Sequence, residues 1–111
     1  MDKFPDTLSR KTCIDRMTIK QIDLIKETRK LMAELIAKYV EDCNPIMILE
    51  FPDRLWHEHK ITIIKELLEK FGKLKVTNPQ TIANVTSTIS DVKDVPTNVK
   101  RITIEFPFNN E

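Results

Sequence analysis

Apolar residues recur at steps of three and four along the middle of the chain: Ile22, Ile25, Met32, Ile36, Tyr39 and Cys43, with Arg29 at the one break. That period predicts an amphipathic helix. Leu31, Leu35 and Val40 widen the stripe beyond a narrow coiled-coil seam, which points to a helix packed on a sheet. Thr18-Ile19-Lys20-Gln21 fits a capping box, and Met17 and Ile22 occupy the staple positions around it. A start near Ser9 or Thr12 is the alternative, because Cys13, Ile14 and Met17 are also helix-spaced. The helix should run to Cys43, with Asn44 in a left-handed cap and Pro45 unable to continue it.

Ile46 to Phe51 is apolar at every position except Glu50 and is bounded by Pro45 and Pro52. It reads as a central strand covered on both faces. Asp53 is placed to cap a second helix, Arg54 to Phe71. On it His57, Ile61, Ile64, Leu68 and Phe71 share a face, and Gly72 reads as its stop. Lys73 to Thr77 alternates as an edge strand, and the strand–helix–strand order predicts parallel neighbours. Between Asn78 and Asn98 the pattern is ambiguous: a short helix through Ala83, or a strand from the β-branched residues of Thr81 to Ile89. Lys100 to Phe106 alternates cleanly, with Ile102, Ile104 and Phe106 inward. The expected fold is α/β or α+β, a small three- to four-stranded mixed sheet with two long helices in the order α-β-α-β-x-β. Residues 1–12 read as a flexible arm and 13–111 as a single compact domain.

Composition narrows the chemistry. The 111 residues contain a single glycine. Phosphate-cradling loops, dinucleotide fingerprints and the turn that presents a hydrolase serine each need several. Formal net charge is +1 with 32% charged residues. The basic excess typical of duplex DNA binders is missing, so nucleic acid is a minor alternative. No apolar run approaches a membrane span and no secretory pattern opens the chain, so a cytoplasmic, intracellular setting is expected. Cys13 and Cys43 lie far apart and read as reduced thiols.

His57-Glu58-His59 is the one histidine cluster. Two apart on a helix, the rings diverge by about 160°, so no metal site and no cofactor is expected. His57 should lie at the core margin and His59 in solvent. Asp53 and His57, four apart, could form a carboxylate–imidazole pair, half of an acid–base arrangement. Trp56, the single tryptophan, sits beside Phe51 and Leu55 at the end of the first strand. Either it belongs to the core, or these three form an exposed anchor for a partner. Arg29, Met32 and Tyr39 on the first helix are the matching candidates for pairing with a second chain.

Two helices covering one face of a sheet leave the other face of a central apolar strand bare, and a large bare patch marks a contact surface. The expected function is therefore a small non-catalytic protein-interaction module, self-associating or bound to another protein, with no membrane association. The Ile, Lys and Asn content beside one glycine suits an AT-rich viral or phage genome and a host factor as partner. A small enzyme using Asp53 and His57, and a nucleic-acid binder, are the alternatives.

Overall fold

A computed structural model describes residues 8–78 and 85–106. Helix α1 spans Arg10–Glu41, strand β1 Ile46–Glu50, helix α2 His57–Phe71, β2 Leu74–Asn78, β3 Val85–Ile89 and β4 Arg101–Glu105, with a 3-10 turn at Val92–Asp94 before β4. The four strands form one sheet in the order β1-β4-β2-β3, and every neighbouring pair is antiparallel. The protein is a small α+β fold.

Helix α1 starts at the earlier of the expected positions. Ser9 is its cap: the hydroxyl accepts from the Thr12 amide at 3.2 Å, satisfying one of the donors a helix start leaves open. Arg10 to Thr12 therefore belong to the helix, and the first seven residues of the expected arm lie outside the described residues. The Thr18 capping box does not form. Thr18 donates to the Ile14 carbonyl at 2.8 Å, a bond made only inside a continuous helix. At the other end Cys43, at φ 54°, takes the left-handed position expected of Asn44, and the Asn44 side chain accepts from the Ile46 amide at 3.0 Å. Gly72, at φ 81°, stops α2 as expected and donates to Leu68.

The sheet order corrects the expected one. Strand β4, not β1, is central, with Ile102 and Ile104 fully covered. The segments β1 and β2 run parallel but β4 lies between them, antiparallel to both. The sheet is accordingly antiparallel throughout rather than mixed. Of the uncertain stretch, Val85–Ile89 is the strand β3; the possible helix near Ala83 lies largely outside the described residues.

Both helices cover the same face. Met47 and Leu49 of β1, Ile102 and Ile104 of β4, Leu74 and Val76 of β2 and Ile89 of β3 pack against Met32 of α1 and Ile63, Ile64 and Leu67 of α2. Burying each such side chain contributes about 1.5–3 kcal/mol. Phe106, expected inward, is exposed and meets Phe71 edge-on at 6.0 Å.

The opposite face is open, yet it is not the bare apolar sheet that the pattern implied. Register places Glu50, Arg101 and Thr77 in one row and Ile48, Thr103 and Lys75 in the next. Lys75 pairs with Glu105 at 2.8 Å and Arg101 with Glu50 at 3.7 Å, and the Thr77 and Thr86 hydroxyls lie 3.2 Å apart. Among the described residues, Ile46 and Ile48 on the edge strand bring the apolar surface there, 46% and 39% exposed. Threonines and cross-strand ion pairs tolerate water, so this face needs no cover.

Candidate interaction surface

The unburied apolar surface is on α1 instead. A helix of 32 residues is about 48 Å long, and the sheet supports only part of it. From Leu24 onward its inward residues pack on the core. Before Gln21 they do not: Ile14 and Met17 are each 49% exposed. Among the described residues, the side-chain hydrogen bonds of residues 10–20 stay within this stretch and its Ser9 cap. About 16 Å of helix thus projects past the core.

Gln21 marks the boundary. Its side chain is buried, its Nε2 donates to the Arg54 carbonyl at 2.8 Å, and its Oε1 accepts from the Trp56 amide at 2.9 Å. The Trp56 amide is a start-of-helix donor of α2, and Trp56 itself has no side-chain cap bond. One amide from α1 therefore caps α2 and fixes the turn before it. Leu55 closes that turn by donating to Pro52 at 3.1 Å. This turn is why α2 begins at His57 and not at Arg54.

The clamp creates an elbow between the projecting part of α1 and the turn. A cleft of about 500 Å3 fills it, lined by Met17, Lys20, Gln21, Asp23, Leu24 and Glu27 from α1 and by Arg54 and Trp56 from the turn, so that two cations and two carboxylates border its apolar floor. Trp56 is half-buried, and its ring stacks on His59 with centroids 5.9 Å apart and planes 12° from parallel. That contact reverses the expectation for the histidines: His59 is the half-buried one and His57 is exposed.

The other residues singled out by pattern fall into three groups. Phe51, Leu55 and Met32 are 5%, 3% and 5% exposed and belong to the core. They do not join Trp56 in a surface patch. Arg29 is spent within the chain: Nε and Nη2 donate to the two carboxylate oxygens of Glu66 at 3.0 and 2.7 Å, bridging α1 to α2. Tyr39 is half-buried against the core, and its hydroxyl donates to the Ile48 carbonyl at 3.5 Å on the free edge of β1. Asp53 and His57 do not pair. Asp53 points to solvent and meets Lys100 at 3.4 Å.

That ion pair borders a second, polar cleft of about 470 Å3 together with Asn98 and Lys60. The Lys60 ammonium donates to the Val99 carbonyl at 3.0 Å and lies 5.8 Å from the Phe51 ring centroid. Burial pushes its pKa below the ordinary lysine value, and the Lys100 charge adds to that while Asp53 opposes it. No helix of the described residues is long and apolar enough to cross a membrane.

Neither the sequence nor the fold matches a family model, a curated protein or a solved structure. Function must therefore be argued from the surface itself. The sequence pattern hides the elbow because Gln21 also fits a capping box with Thr18. The available signal was its position on the apolar line of the helix, between Met17 and Leu24, where a polar side chain needs a partner.

Proposed function

We propose that this chain is a non-catalytic protein-interaction module that docks through the projecting half of α1 and the Trp56 elbow. The observation that supports the reading most is the distribution of exposed apolar side chains. Ile14 and Met17, each 49% exposed, continue the inward line of α1 beyond its packed part, and Met17 lines the same cleft as Trp56. Single exposed apolar residues need no explanation, but an apolar helix line that runs on past the core into a cleft beside a half-buried tryptophan is a candidate contact surface. Trp56 adds a large, partly fixed ring at the concave end of that surface, the kind of group that dominates interface energetics. The occupant in this reading is a protein, either a second copy or another chain; a viral or phage origin is compatible with it and adds nothing to the physics.

Site-specific photo-crosslinking tests the proposal. A photoreactive residue at position 17, in the cells that make the protein, should give a discrete adduct, and one at position 86 on the open sheet face should not. An adduct of twice the chain mass identifies a second copy. No adduct from position 17, or the same adducts from both positions, would end the reading.

A further inference from the structure

We propose that the free edge of β1 is a second docking site, which takes an extended segment of another protein as a fifth strand and one of its apolar side chains into a pocket beneath α1. This goes beyond the elbow reading, and the pocket shares no lining residue with the elbow cleft.

The backbone comes first. Phe51 donates to Lys100 and Phe106 to Pro45, so the register turns the main-chain groups of Met47 and Leu49 toward β4 as well. Those of Ile46, Ile48 and Glu50 therefore point away from the sheet. The Asn44 side chain takes the Ile46 amide, and the Tyr39 hydroxyl reaches the Ile48 carbonyl at 3.5 Å. Among the described residues, the Ile48 amide and both main-chain groups of Glu50 have no partner. Exposed edges are ordinarily blunted by lysine, proline or a bulge. Ile46-Met47-Ile48-Leu49 contains no charge and no proline, and its register with β4 is unbroken. The other edge, β3, presents Thr86, Ser87 and Thr88 instead.

The pocket lies beside this open half. Arg29 binds Glu66, which turns one flank of α1 toward α2. Thr28, Leu31 and Leu35, spaced by three and four, form the other flank and overhang the end of β1. With Leu49 and Phe51 they line a space of about 260 Å3. Sites for cofactors and drug-sized molecules start at roughly 300 Å3, so this size suits a side chain. Leu31, 55% exposed, stands at the rim. Thr28 is an independent pointer to an occupant: it is buried, it lines the pocket, and its hydroxyl has no hydrogen-bond partner among the described residues. A polar atom of an incoming chain would offset the cost of that unpaired hydroxyl.

On the open face of the same strand, Ile46 and Ile48 are exposed. Side chains of an extended segment point alternately to the two faces. A segment paired with β1 would thus place one residue in the pocket and the next against Ile48. This is strand addition, in which main-chain hydrogen bonds give affinity and alternate pockets give selectivity. A second copy does not fit the pocket, because its own β1 keeps Met47, Leu49 and Phe51 in its core and has nothing left to insert. A small apolar molecule would fill the pocket and leave the edge unpaired.

Amide NMR of the full chain tests the inference. The probes are three synthetic peptides that alternate threonine with valine, leucine or phenylalanine between terminal lysines. At least one should shift the Ile48 and Glu50 amides and slow their exchange with solvent. Methylating every internal nitrogen of that peptide should weaken it by about tenfold or more, the loss expected from two unmade main-chain hydrogen bonds. Leu31→Lys should abolish binding with the thermal transition unchanged, because Leu31 is exposed at the rim. Thr28→Val should weaken binding by about threefold or more without lowering that transition. No binding by any peptide, equal binding after methylation, or shifts that leave Ile48 and Glu50 untouched overturns the inference. So does a light-scattering mass of twice the chain with these two amides already protected, since a second copy then covers the edge. The elbow stands or falls separately, on the adduct from position 17.

Discussion

Ile14 and Met32 stand eighteen residues apart, five full turns of helix, and so lie on the same line of α1. One is 49% exposed and the other 5%. Both belong to one apolar stripe, and nothing local distinguishes them. What separates them is whether a sheet lies underneath. Past Gln21 the stripe meets β1 and contributes to the fold; before Gln21 it meets solvent and is available to something else. A single periodic pattern thus contributes stability at one end and, in the proposed reading, contact at the other.

The comparison is sharpened first by truncating its two members. Met32→Ala should destabilise the protein by about 2–5 kcal/mol, the range for emptying a buried methionine site. Ile14→Ala should stay within about 0.5 kcal/mol of the parent, because no cavity forms and alanine favours the helix. Urea denaturation measures both. Equal losses at the two sites would mean that the first half of α1 is packed after all.

A change at the boundary should have an intermediate effect. Gln21→Ala strips the Trp56 amide and the Arg54 carbonyl of their partner in a partly buried turn, and should cost about 1–3 kcal/mol. It should also alter the emission of Trp56, which the same turn positions. Loss of stability with unchanged emission would argue that the amide does not hold the elbow.

The smallest expected effect has the opposite sign. Thr28 is 3% exposed, and its hydroxyl is buried with no hydrogen-bond partner among the described residues. Thr28→Val keeps the shape and removes the unpaired group, so it should stabilise the packed half by about 1 kcal/mol. A loss of similar size would show that the hydroxyl is satisfied in solution.

How far the sequence revealed this is seen best residue by residue. The helical period from Ile22 to Cys43, the stop at Gly72 and the strand from Arg101 to Glu105 were legible because they are set by neighbours in the chain. The start of α1 was ambiguous because Ser9 and Thr18 both satisfy local capping rules; continuation of the helix through Ile14 decided it. Sheet order was not legible. Strands β1 and β4 are both short and apolar, and which one becomes central depends on long-range pairing. The proposed interaction surface was half legible. Trp56 was a candidate from its type alone, but Phe51, Leu55 and Met32 carry the same apolar signature whether they end up in a core or on a surface. The projecting half of α1 was missed because periodicity shows which face of a helix is apolar, and not how much of that face has something to pack against.

Amide hydrogen exchange along α1 tests the division most directly. In the isolated monomer, amides from Ile14 to Lys20 should open locally and exchange quickly, while those from Thr28 to Tyr39 should exchange only through events approaching global unfolding. Protection should step up at Gln21. Uniform slow exchange from Ile14 to Tyr39 would contradict the account, because it would mean that the chain already shelters the surface assigned here to a partner.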